Sequence, residues 1–227
     1  MKVELKHYTP LSIADDAIGK CWDKPSNGEC NIKRIHRVAN QAKHASTIEH
    51  LSYNFDVDGI SRACLQELAR HRMSSFSVKS SRYTLNELLD ADTEEKLRSF
   101  MVQTKSAFVN DCNIATLRDV RTVLKSGEHN DLVKYMIPEA YKTSLVWTIN
   151  ARSLQNFLKL RTDKRALWEI RELAYEVFKQ LPEDHKFLFE EFLYKEEYEV
   201  TKEDRELHFN TFGEYSTDDI IRDWLRR

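Results

Sequence analysis

Glycine is scarce in this chain, five residues in 227, and proline is scarcer still at four. None of the five glycines builds a phosphate-cradling loop. A Gly-x-Gly-x-x-Gly fingerprint and a P-loop are both absent. Long apolar runs are missing as well. No span approaches the roughly 20 apolar residues that a membrane helix needs. Near Met1, the charges of Lys2, Glu4 and Lys6 break up any leader-like run. The four cysteines, Cys21, Cys30, Cys64 and Cys112, form no Cys-x-x-Cys pair. They read as structural thiols in a reducing compartment, which places the protein in the cytoplasm. The formal net charge is only −2. That argues against a dedicated nucleic-acid binder but leaves room for a local basic site.

What is present points to a helix-rich soluble protein. Apolar residues make up 41% and can support a real core, while charged residues make up 32%. The charge is unevenly placed. From Pro182 to Arg227, 14 acids against 7 bases give −7, and the remainder carries +5. Residues 1–195 read as one domain, and 196–227 as an acidic C-terminal extension.

The pattern predicts a first strand over Lys2–Tyr8. A helix follows to about Trp22, with Thr9 as cap and Pro10 at its first position. A loop is expected from Lys24 to Asn31, then a helix over Ile32–Lys43. Leu51 to Val57 alternates apolar and polar residues, as a half-buried strand does, and Asp58-Gly59 should end it. Ile60 to Arg70 reads as a helix. Thr93 to Lys125 reads as one bent helix or two, with Met101, Phe108, Ile114, Leu117 and Val120 inward. A short helix over Asp131–Ile137 should stop at Pro138. Thr143–Ile149 reads as a strand. Helices are expected over Asn150–Arg161, Ala166–Gln180 and His185–Leu193.

Three stretches carry chemistry. From Arg70 to Tyr83 the chain collects Arg70, Arg72, Lys79, Arg82, His71 and five serines, and no Asp or Glu occurs from Leu68 to Asn86. A donor-rich run without carboxylates suits a phosphate or another anion. Its plainer reading is a solvated basic loop or a nucleic-acid-binding module. On the Asn150–Arg161 helix, Arg152 and Asn156 share one side. Arg161 falls in the apolar stripe of Leu154, Phe157 and Leu158. A guanidinium there needs a partner, either a protein carboxylate or a ligand anion. The third stretch, His44 to His50, brackets Glu49 with two histidines, but the spacing matches no familiar metal-ligand pattern. No metal site is expected.

Taken together, these blocks resemble the signature of the flavin-dependent thymidylate synthases. Arg70-His71-Arg72 leads to Ser80-Ser81-Arg82-Tyr83, as in that family's Arg-His-Arg and closing Ser-x-Arg-Tyr. Asn150-Ala151-Arg152-Ser153-Leu154, running on to Arg161, is similar to its Asn-Ala-Arg-Ser-Leu helix. Thr47-Ile48-Glu49-His50 is similar to its Thr-Pro-Phe-Glu-His. The form is most like the epsilon-proteobacterial one, whose loop also reads Ser-Val-Lys-Ser. The resemblance covers about residues 1–193.

The resemblance implies an α+β fold of the thymidylate synthase-complementing type: a mainly antiparallel sheet with long helices, in a homotetramer with shared active sites. It implies reductive methylation of dUMP to dTMP, with FAD as carrier and NADPH and methylenetetrahydrofolate as co-substrates. Neither nucleic acid nor membrane is an implied partner. Position by position, it implies FAD contacts at Ser46, Arg70, His71, Arg72 and Val78, and at Asn150, Ala151, Arg152 and Asn156. It implies dUMP contacts at Glu67, Leu68, Ala69 and Arg70, at Val78, Lys79, Ser80, Ser81 and Arg82, and at Lys134 and Arg161. Arg161 takes the activating, catalytic role against the uracil. Ser80 is assigned to contact rather than covalent catalysis, because no base is spaced to activate it. Three positions depart from the commoner signature. Ser77-Val78 stands for Asn-Glu, Glu67 for Gln, and Lys134 for Arg, the last exchanging a fork for a point charge.

Overall fold

The structure is a computed structural model, and it describes residues 1–24 and 30–194. The expected loop at Lys24–Asn31 and the expected extension at 196–227 therefore lie largely or wholly outside the described residues. In chain order the elements are β1 (Lys2–Tyr8), α1 (Ser12–Cys21), α2 (Ile32–His36), β2 (Ser52–Ser61), α3 (Arg62–Leu68), β3 (Ser74–Val78), α4 (Ser81–Thr84), α5 (Glu94–Ser99), α6 (Ala107–Lys125), α7 (Asn130–Val133), β4 (Lys142–Asn150), α8 (Ala151–Arg161) and α9 (Trp168–Gln180). A π-helical turn, Arg37–Gln41, prolongs α2, and 3-10 turns cover Ala45–Ile48, Leu85–Asp90, Lys134–Met136, Glu183–Leu188 and Glu190–Phe192. The fold is α+β, with the four strands in one antiparallel sheet of order β1-β2-β4-β3.

The chain divides into two compact units. The first holds Met1–Lys6 and Asn54–Thr148, and the second holds His7–Tyr53 together with the chain from Ile149 onward. Most of the sheet belongs to the first. On its buried face Phe55 of β2 and Phe76 of β3 both meet Trp147 of β4, with ring centroids 5.7 and 6.4 Å away. Asn54 Nδ2 donates to Thr148 Oγ1 at 2.6 Å, tying β2 to β4 on the other face. A helical core completes this unit: Leu85, Leu88, Leu97, Met101, Ile114, Leu117, Val120, Leu124 and Val133 are buried together. In the second unit α8 and α9 pack on each other, and Leu154, Phe157 and Leu158 of α8 and Ile170, Leu173 and Val177 of α9 are all fully buried.

Several expectations are corrected. Thr9 does not cap α1; its N–H donates to Ser52 O at 2.9 Å, and its Oγ1 accepts from Ser52 N at 3.1 Å. Gly59 does not end β2. It sits at φ +77°, where glycine costs little, and the strand runs on to Ser61. The helix after it therefore begins at Arg62, capped by Ser61 Oγ. The 93–125 region splits into α5 and α6, because Met101 leaves the helix to pair with Tyr141 as an isolated bridge. Phe108 points outward, 78% exposed. His185–Leu193 is not a regular helix; most of it lies in the two 3-10 turns Glu183–Leu188 and Glu190–Phe192. The largest correction is Ser74–Val78, expected as loop and found as the edge strand β3.

Candidate active site

Within the first unit, the basic stretch is shaped by what flanks it. Arg70 follows the end of α3, largely exposed, with Nη1 3.7 Å from Glu67 Oε1. Leu68 is buried at that helix end, and Ala69 and Arg72 are exposed. His71 is buried; its N–H bonds back to Leu68 O, and its carbonyl accepts from Ser74 Oγ at 2.5 Å. That contact turns the chain into β3. The strand ends at Val78, and Lys79 N donates to Ser144 O of β4 at 2.8 Å, so the next turn leaves the sheet edge from a fixed point.

That turn is the start of α4. Ser80 caps it in extended conformation with no side-chain cap bond. The backbone N–H groups of Ser80, Ser81 and Arg82 find no acceptor among the described residues. First-turn donors of this kind are what an anion can satisfy. Ser81 is buried, while Ser80 is half-buried. Two of the cations already have partners. Lys79 Nζ donates to Glu87 Oε2 at 2.7 Å. Arg82 bonds bidentately to Asp131 of α7, Nε to Oδ1 and Nη2 to Oδ2, the latter at 3.1 Å. Lys134 follows α7 in the next 3-10 turn, half-buried. The first unit thus gathers Lys79, Ser80, Ser81 and Arg82 against α7, with Lys134 next along the chain.

The second unit gathers the other set around the start of α8. Asn150 caps that helix, its Oδ1 accepting from Ser153 N at 2.8 Å. Ala151 is buried and its N–H donates to Leu51 O at 2.8 Å. Arg152 Nη1 donates to Glu49 Oε1 at 2.5 Å, which brings the turn holding Ser46 beside the helix start. Asn156 lies one turn on from Arg152 and is exposed, as Ser46 is. Arg161 is the last residue of α8. It is half-buried, where the stripe of Leu154, Phe157 and Leu158 reaches the end of the helix. A separate groove of about 660 Å³ on this unit is lined by α2 and Phe187 and includes none of the predicted residues.

The model of the family described as "Thymidylate synthase complementing protein" matches residues 5–185. The chain belongs to that family. It is 51% identical over 199 residues to the flavin-dependent thymidylate synthase of Wolinella succinogenes, covering 83% of this chain and 97% of that one. It is 48% identical over 206 residues to the enzyme of the same description from Campylobacter jejuni, covering 86% and 99%. The crystal structure of thymidylate synthase X from Helicobacter pylori, with FAD and dUMP, superposes with a TM-score of 0.81 at 46% identity, covering 86% of this chain and all of that one. These are the epsilon-proteobacterial relatives that the Ser-Val-Lys-Ser loop suggests.

Nothing in this family membership supports the nucleic-acid reading of the basic stretch. Two carboxylates that sequence reasoning left without a role now stand on the cations of this family member. Glu49 was visible inside a recognised block. Asp131 carried no signal beyond the start of a short helix, since its partner lies 49 positions away. Among the described residues no cluster of potential metal ligands occurs, and no helix is long and apolar enough to cross a membrane.

Proposed function

We propose that this chain is a cytoplasmic flavin-dependent thymidylate synthase, a methyltransferase that converts dUMP to dTMP with methylenetetrahydrofolate, NADPH and FAD, and that it works as a homotetramer. In this reading residues 1–195 are the catalytic domain and 196–227 an acidic extension. One observation carries it: the Arg82 turn and the Arg152 helix start, each built as described, occur in a chain about half identical to enzymes of that name.

The residues present fit the groups the reaction needs. A dianionic phosphate calls for several directed donors without a net carboxylate excess. Ser80, Ser81 and Arg82 offer unsatisfied backbone N–H groups, two hydroxyls and a guanidinium, and Lys134 adds a point charge. Glu67, Leu68, Ala69, Arg70, Val78 and Lys79 frame the same nucleotide. An FAD molecule calls for cations along its diphosphate and amides along its rings. Ser46, Arg70, His71, Arg72, Val78, Asn150, Ala151, Arg152 and Asn156 supply that mixture. When bound, the flavin supplies the hydride chemistry, which no side chain here can perform.

The chain's own contribution is positioning and electrostatics. Arg161 lies against the uracil edge, where its fixed charge stabilises negative charge developing at N3 and the neighbouring oxygens. Ser80 contacts substrate and forms no covalent bond. Among the described residues no histidine or carboxylate is hydrogen-bonded to its hydroxyl, which favours contact over covalent catalysis. The test is direct: the purified protein should bind FAD, and dTMP should appear only when dUMP, methylenetetrahydrofolate and NADPH are all supplied. Failure to bind flavin overturns the reading.

A further inference from the structure

Arg82 is held from two directions by one short element. Its guanidinium makes the bidentate pair with Asp131, and its backbone carbonyl accepts from Asn130 Nδ2 at 2.8 Å. Asn130 and Asp131 are the first two residues of α7. The Asp131 N–H is itself fixed, donating to His129 Nδ1 at 3.2 Å. The Tyr83 ring flanks the guanidinium at 6.0 Å. The Arg82 and Asp131 side chains are 53% and 42% exposed. An ion pair this wet contributes little to folding. Its geometric effect is larger. A two-point carboxylate fork fixes the plane of a guanidinium that would otherwise sample many rotamers. It occupies the Nε–Nη2 edge and leaves Nη1 unengaged among the described residues.

We propose that Asp131, assisted by Asn130, is a positioning residue for nucleotide recognition, presetting Arg82 so that its remaining N–H groups meet the phosphate of dUMP. This rests on the proposed function, in which Arg82 binds that phosphate. Asp131 itself touches no substrate. Its negative charge opposes the phosphate to some degree, and the rotamer freedom already removed from Arg82 outweighs that repulsion. Asn130 sets the height of the turn through the Arg82 carbonyl, so the side chain and the backbone of one residue are registered to α7 together.

The experiment uses the full-length, FAD-loaded protein with Asp131→Ala, Asp131→Asn and Arg82→Ala. For each, kcat and KM are measured for dUMP, and binding of dUMP and of deoxyuridine, which lacks the phosphate, is titrated through the flavin spectrum. Asp131→Ala should raise the dUMP KM about 10-fold with kcat within about twofold, and leave deoxyuridine binding unchanged. Asp131→Asn keeps one acceptor and should recover part of the loss. A dUMP KM that is unchanged or lower in Asp131→Ala overturns the proposal, the lower value meaning that Asp131 competes with the phosphate. An equal loss for deoxyuridine also overturns it, since that is the mark of general disruption. If Arg82→Ala leaves dUMP binding intact, the phosphate assignment of Arg82 is what has failed. Retained far-ultraviolet dichroism shows that each variant folds, and the exposure of the pair favours that outcome.

Discussion

At the scale of single residues, the cations announce themselves and their partners do not. Arg82, Arg152 and Arg161 stand out in the sequence because each lies in a patterned block. Glu49 and Asp131 sit 103 and 49 positions from the guanidinium each one holds, and only the fold makes these pairs. In the proposed reaction, Arg161 is the residue on which chemistry most depends. Arg161→Ala should lose turnover by two orders of magnitude or more and weaken dUMP binding while the assembly persists, because an electrostatic group of this kind contributes about 3–4 kcal/mol. Steady-state kinetics with gel filtration checks this, and unchanged kinetics removes Arg161 from the mechanism. Lys134 offers a gain rather than a loss. Lys134→Arg restores the commoner signature's fork and should lower the dUMP KM a few-fold, measured in the same assay.

At the scale of elements, β2, β4 and the start of α8 were readable because their patterns agree with their environment. Tyr53, Phe55 and Val57 alternate with half-exposed residues along β2, and all three are buried. Asn150 has the residue type and place of a helix cap, and it is one. β3 was unreadable because serines surround its one apolar anchor, as befits an edge strand with a mostly exposed face. Phe76 supplies that anchor on Trp147. Phe76→Ala should therefore destabilise the protein by about 1–2 kcal/mol, the value for partial loss of a half-buried ring, and weaken dUMP binding as well, because β3 delivers Val78 to the Ser80 turn. Urea unfolding beside dUMP titration separates the two effects. A variant with wild-type midpoint and affinity would show that β3 does not position the turn.

At the scale of the whole molecule, two compact units divide the predicted residues between them, and sequence order concealed this because each unit is built from two separate lengths of chain. In the second unit a buried pair ties stability to pH. His185 is 1% exposed, and its Nδ1 lies 2.7 Å from the Tyr53 hydroxyl. Burial lowers the imidazole pKa, with Asp184 opposing that in part. The unfolded ring titrates at its ordinary value near 6.5. Below that pH the unfolded chain takes up a proton that the folded chain refuses, so this group's contribution is complete above about pH 6.5 and declines as pH falls through the lowered folded value. His185→Gln should flatten the decline, measured as urea midpoints across that range, and an unaltered slope would remove His185 as its source. Catalysis is tested most directly by dTMP formation by the full-length protein with each component omitted in turn. Bound flavin absorbance, and product only when dUMP, methylenetetrahydrofolate, NADPH and FAD are all present, is the predicted result. No bound flavin, or dTMP formed without a reductant, would contradict it.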